Sequence, residues 1–138
     1  MNKKSFIGGL VCGEGWFSFY KVKNSPNHIQ FSFGVAMHIR DLELLKLIQN
    51  EIGCGKIYFH PSSRDKNMAR FEVANQRLQI EKVIPFFNDI LLGYKKIQFE
   101  KWKEALLNHY AGRKERRRIA SSKAWSKTRA SKTSSDNT

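Results

Sequence analysis

The sequence predicts an α+β domain in which one antiparallel sheet carries its helices on a single face. Two segments, Trp16–Val22 and His28–Ile39, alternate apolar and polar residues with a period of two, and a turn at Asn24-Ser-Pro-Asn27 joins them. A second strand pair, Lys56–His60 and Met68–Ala74, follows across a polar loop. Segments with helical spacing precede, separate and follow these pairs. The resulting order is αββαββα with one further C-terminal helix.

Each element has a local reason. Ser5 is placed to cap a short helix through Phe6, Ile7, Leu10 and Val11 that ends near Gly13. In the first strand Phe17 and Phe19 share one face, and Trp16, Ser18 and Tyr20 the other. In the second, Ile29, Phe31, Phe33, Val35 and Met37 alternate with His28, Gln30, Ser32, Gly34 and Ala36. Asp41 is placed to cap a helix bearing Leu42, Leu45, Ile48 and Ile52, which Gly53 and Gly55 stop. Asn75 opens a helix through Leu78, Ile80 and Val83 that Pro85 breaks or restarts. The last helix uses Phe99, Trp102 and Leu106.

Composition narrows the function. The chain has 138 residues, the length of one ordinary domain, and no apolar run long enough for a membrane-spanning helix. Gly8, Gly9 and Glu14 interrupt any signal-peptide core, so secretion is not expected. Two cysteines are too few for a disulfide framework or a cysteine-based zinc site, and a reducing compartment is the natural reading. The four histidines lack metal-ligand spacing, and no phosphate-binding glycine loop is present. With 25 Lys+Arg against 12 Asp+Glu, a net charge of +13, nucleic acid is the first partner to consider. Residues 1–107 carry a net +6 and residues 108–138 a net +7. The expected division is therefore a domain over 1–110 and a basic tail over 111–138. That tail is poor in aliphatics and is expected to be disordered beyond about Arg118.

If Phe17, Phe19, Phe31, Phe33, Val35, Ile57, Phe59, Phe71 and Val73 face the helices, the opposite sheet face is bare. It then presents Trp16, Ser18, Tyr20, His28, Gln30, Ser32, Lys56, Tyr58, His60, Arg70 and Glu72. These long, hydrogen-bonding and aromatic side chains suit base edges and phosphates. A wet polar face is also common on antiparallel sheets, and the net charge favours the binding reading.

The first helix is costly: Gly8, Gly9 and Gly13 each lose about 1 kcal/mol relative to Ala. Gly9, Cys12 and Gly13 share a face of small side chains on which two helix backbones approach closely, and the motif occurs once. A symmetric homodimer supplies the missing partner, with Gly8, Gly9, Cys12 and Gly13 at its interface. Glu14 then sits at the negative end of the helix dipole, where bound cations compensate it. A twofold pair brings two such carboxylates together around hard divalent metal ions.

The stretch Ile7-Gly-Gly-Leu-Val-Cys-Gly-Glu-Gly15, followed by Trp16-Phe-Ser-Phe19, resembles the motif of the LAGLIDADG homing endonucleases. Three further landmarks follow in register: His38-Ile-Arg-Asp41-Leu-Glu-Leu-Leu45, Ile52-Gly-Cys-Gly-Lys-Ile-Tyr58, and Ile84-Pro-Phe-Phe87 leading to Leu92-Gly-Tyr-Lys95-Lys-Ile-Gln-Phe99-Glu-Lys-Trp102. The resemblance covers about residues 5–107. It implies a saddle-shaped sheet lying in the DNA major groove, a homodimer on a near-palindromic site, and Mg²⁺-dependent (or Mn²⁺-dependent) hydrolysis of both strands of double-stranded DNA. Glu14 matches the motif's metal-binding acid. Lys95 matches the basic residue near the scissile phosphate, with Lys96 as the fallback. An intron-encoded protein of an organelle interior or a bacterial cytoplasm is implied, with intron RNA as a further partner. Two residues depart from the pattern: Cys12 stands where the family usually has Asp, and Met37 where many relatives carry Gln near the active-site water. The alternative on the same scaffold is an intron RNA maturase or a cleavage-inactive DNA- or RNA-binding protein.

Overall fold

The computed structural model describes residues 1–59 and 67–136, with side chains as far as Trp125. His60, expected on the outer sheet face, and the loop that follows it as far as residue 66 lie outside the described residues. The chain divides into two units, Met1–Leu106 and Leu107–Thr138.

The first unit runs α1 (Lys3–Glu14), β1 (Gly15–Lys21), β2 (Ile29–His38), a 3₁₀ turn at Ile39–Asp41, α2 (Leu42–Ile52), β3 (Lys56–Phe59) and β4 (Met68–Val73). Short helical pieces follow at α3 (Gln76–Leu78), a π turn (Gln79–Val83) and α4 (Ile84–Phe87), and then α5 (Gly93–Asp136), of which the part up to Leu106 belongs to this unit. The four strands are antiparallel in the order β1-β2-β4-β3, so β2 and β4 are central. The expected α+β architecture is observed. Among the described residues, no helix is long and apolar enough to cross a membrane.

The period-two alternation decides which residues are buried. Phe17, Phe31, Phe33, Val35, Phe71 and Val73 pack with Ile7 and Val11 of α1, Leu45, Ile48 and Ile52 of α2, Phe87 of α4, and Phe99, Trp102 and Leu106 of α5. The centre is aromatic: Phe17 stacks on Phe33 at 5.0 Å, and Phe17 and Trp102 lie 5.2 Å apart. Trp102 donates its indole N–H to the Ser18 carbonyl at 3.1 Å, so the largest core side chain also meets its polar requirement. Phe19 and Phe59 differ from expectation, at 48% and 57% exposed. They lie on the two edge strands, where the layer of helices does not cover them.

Helix boundaries follow local hydrogen bonding. Asn2, not Ser5, caps α1: its Oδ1 accepts from the Ser5 N–H at 3.0 Å. Asp41 makes no side-chain cap; His38 Nδ1 instead accepts from Arg40 N–H at 3.1 Å and closes the 3₁₀ turn. Gly53 ends α2 in the left-handed conformation at φ 85°, as expected. Asn75 caps α3 as expected, its Oδ1 accepting from Leu78 N–H. Pro85 follows closely on the π turn Gln79–Val83, so the helical path is restarted at α4 without leaving the helical conformation. The π turn seats the fully buried Gln79, which donates to the carbonyls of Phe31 and Val73, both at 2.8 Å.

The described residues of the second unit are helical. The sequence predicts an arm without regular structure beyond about Arg118, whereas α5 continues to Asp136. From Arg113 onward this stretch holds neither Gly nor Pro, and Lys, Arg, Glu and Ala favour helix. Pairs such as Arg118–Glu115 lie along its surface.

Candidate nucleic-acid interface

The sheet's second face is open. Ser18, Tyr20, His28, Lys56 and Tyr58 are exposed, while Trp16, Gln30, Ser32, Arg70 and Glu72 are half-buried. The pairing brings them into rows: Tyr20 opposite Gln30, Ser18 opposite Ser32, Trp16 opposite Gly34, Gly34 opposite Glu72, Glu72 opposite Lys56, and Arg70 opposite Tyr58. The members of the expected set that lie in strands therefore share one surface, and His28 stands just before β2. The strand register carries this, since a one-residue slip would exchange it for the core set.

Two arrangements within that surface were not legible from spacing. Trp16 Nε1 donates to Ser32 Oγ at 3.0 Å, and Ser32 Oγ donates to Glu72 Oε2 at 3.1 Å. The indole crosses β2 because residue 34 is glycine: a Cβ there would stand 2.3 Å from Trp16 Cζ2 and 2.6 Å from the Phe71 carbonyl oxygen. The Arg70 guanidinium carbon lies over the Tyr58 ring, 4.9 Å from its centroid.

The second feature is the corner where α1 meets β1. Helix passes to strand without a loop, because Gly15 lets its backbone lie against Val11; a Cβ would stand 2.7 Å from Val11 Cγ1. Glu14 is thereby presented at the end of α1, exposed and, among the described residues, without a hydrogen bond or ion pair. Lys95, in the first turn of α5, donates its Nζ to the Gly15 carbonyl. A cation thus meets the negative end of the α1 dipole, one residue from the carboxylate. Lys96 is exposed. Among the described residues no three His, Cys, Asp or Glu side chains cluster around a metal position. One chain offers a hard divalent ion a single free carboxylate at this corner.

The four residues expected at a dimer interface separate. Gly9 and Gly13 are exposed, and nothing stands within 4 Å of a Cβ built at either. Gly8 is a correction: it is buried within the chain, and a Cβ there would stand 2.9 Å from the Ile90 carbonyl oxygen. Cys12 is half-buried, its thiol donating to the Leu92 carbonyl at 3.6 Å and accepting from Leu92 N–H at 3.5 Å. Met37 is half-buried against the core cluster on the inner side of β2.

The chain belongs to the LAGLIDADG endonuclease family, whose sequence model matches residues 7–106. It is 30% identical over 84 residues to a probable intron-encoded DNA endonuclease 1 of Mycosarcoma maydis, which covers 61% of this chain and 30% of that protein. Among solved structures it resembles the homing endonuclease I-GzeII in complex with its DNA target, with 26% identity and a TM-score of 0.73 over 81% of this chain and 38% of that one. I-LtrWI bound to target DNA is 28% identical, with a TM-score of 0.65 over 77% of this chain and 36% of that one. I-TnaI, at 22% identity and a TM-score of 0.66, shares the fold over 79% of this chain and 74% of that one. The chain thus spans about a third of the length of the curated relative and of I-GzeII.

Proposed function

We propose that this chain is a site-specific double-strand DNA endonuclease of the homing type, acting as a homodimer with a divalent metal, Mg²⁺ or Mn²⁺. The observation that carries the reading is the corner at Glu14. An unpartnered carboxylate and a tethered Lys95 lie together at the end of the helix whose outer strip, Gly9 and Gly13, leaves room for a second backbone. A second copy packed there adds a second Glu14, turning one carboxylate per chain into a shared acidic pair suited to a hard cation. Such an ion, when bound, withdraws charge from the scissile phosphate and lowers the pKa of a bound water. Glu14 holds and orients; Lys95 offsets charge that develops on the phosphate in the transition state. Tyr20, His28, Gln30, Lys56 and Tyr58, with Ser18 and Arg70, contact the duplex, and Trp16 and Ser32 line the same surface.

Glu14→Gln tests this reading. The variant is expected to lose cleavage in Mg²⁺ while keeping its melting temperature and duplex affinity. Undiminished cleavage would overturn the metal-ligand assignment. The second reading, a maturase or binding-only protein, draws support from Met37, whose apolar side chain packs toward the core and offers no hydrogen bond to a reacting water. Selective retention of duplex by wild-type protein, with no cutting in either metal, would favour it.

A further inference from the structure

We propose that Glu72 and Arg70 form an acceptor–donor pair on β4 that fixes two base identities in the target, with Glu72 selecting the exocyclic amine of cytosine and Arg70 the O6/N7 edge of guanine. This rests on the reading of the outer sheet face as the DNA surface and adds to it which bases the face selects.

A carboxylate is out of place on a surface that meets a polyanion. The simplest structural explanation would be a cross-strand ion pair with Lys56, its Cα partner on β3. Among the described residues Glu72 makes no ion pair; it turns instead across β2 toward Ser32. There Ser32 has one hydroxyl hydrogen to give. Its oxygen already accepts from the Trp16 indole N–H, which can only donate, so the hydroxyl hydrogen is directed to Glu72 Oε2. Trp16 is in turn locked over Gly34 by close packing. The chain Trp16–Ser32–Glu72 therefore runs in one direction and ends on a carboxylate whose remaining capacity is acceptor only. A group fixed in that way excludes the acceptor edges of guanine and thymine in the major groove. It accepts from an exocyclic amine, cytosine N4 or adenine N6, and the N7 acceptor beside the adenine amine repels the carboxylate, which leaves cytosine as the match.

Arg70 is the complement. It lies two residues earlier on the same face, about 6.7 Å along the strand, close to two base-pair steps at about 3.4 Å each. The cation–π contact with Tyr58 holds the guanidinium in place. Its Nε is buried without a hydrogen-bond partner, leaving the terminal nitrogens as the fork for a guanine edge. Trp16 and Ser32 are positioning residues here; Glu72 and Arg70 are the readers.

The test selects duplexes from a randomised library with the full-length chain in Ca²⁺, then compares each column of base preference between wild type and variants. Wild type should show a cytosine column and a guanine column about two steps apart. Glu72→Gln, which can donate as well as accept, should relax the cytosine column by about tenfold. It should also bind non-specific duplex more tightly, because a negative charge has gone. Ser32→Ala should relax the same column partially and lower the melting temperature, because the Trp16 N–H loses its acceptor, and Ser32→Thr, which keeps the hydroxyl, should restore both. Arg70→Lys should relax the guanine column alone. If Glu72→Gln leaves every column unchanged while wild type still selects sequence, the base assignment is wrong and the DNA reading stands. If folded wild-type protein selects no sequence, the reading of the face fails and takes this assignment with it.

Discussion

The two faces of the sheet are built from the same four strands and obey opposite rules. On the inner face, Phe17, Phe31, Phe33, Phe71 and Val73 close against helices, and their requirement is volume. On the outer face, Ser18, Tyr20, His28, Lys56 and Tyr58 stand in water with hydrogen-bonding capacity to spare. Packing alone would accept many side chains there, so a carboxylate wired through a serine to a tryptophan calls for a reason beyond stability. The inner face fixes where the strands are; the outer face uses that position.

The largest expected effect breaks the comparison from the inside. Phe33→Ala empties the middle of the aromatic cluster and should cost about 3–5 kcal/mol by denaturant unfolding. Tyr20→Ala on the outer face should cost under about 0.5 kcal/mol and weaken duplex binding instead. Equal stability losses at the two positions would contradict the division. Gly34→Ala sits where the faces meet. Its Cβ would press on Trp16 and on the Phe71 carbonyl, so we expect a loss of about 1–3 kcal/mol together with altered base preference. Gly9→Leu fills the open strip on α1 without touching the chain's own core. In sedimentation at micromolar concentration it should yield a species of 16.1 kDa where wild type gives twice that mass.

The smallest effect concerns charge outside both faces. Truncation after Gly112 removes nine Lys/Arg and two Asp/Glu. If these residues touch phosphate, the log–log salt slope of duplex binding should fall by about 0.9 for each phosphate they neutralise, with the base preferences unchanged. An unaltered slope would assign the segment no phosphate role.

Much of this division is legible because alternation is a local signal. Strands, faces and the end of α2 at Gly53 follow from neighbouring residues. What is not legible depends on partners far along the chain. Ser32 and Glu72 are 40 residues apart, and Lys95 and Gly15 are 80 apart; neither pair announces itself in spacing. Gly8 and Gly9 are indistinguishable as letters, and only the Ile90 carbonyl makes one an inward contact and the other a surface. The cap of α1 is Asn2 rather than Ser5 although both residue types cap helices, because the choice rests on which reaches the free N–H. Phe19 and Phe59 carry a core-like pattern but sit on edge strands, which the pattern does not reveal.

The central claim is that one surface recognises duplex DNA while Glu14, paired across a twofold axis, directs its hydrolysis. Incubation of the full-length chain with a randomised duplex library in Mg²⁺, followed by sequencing of the cut ends, tests it most directly. The account predicts cutting of both strands at a near-palindromic site, lost in Glu14→Gln. Cut ends without twofold symmetry, or equal cutting by Glu14→Gln, would contradict it.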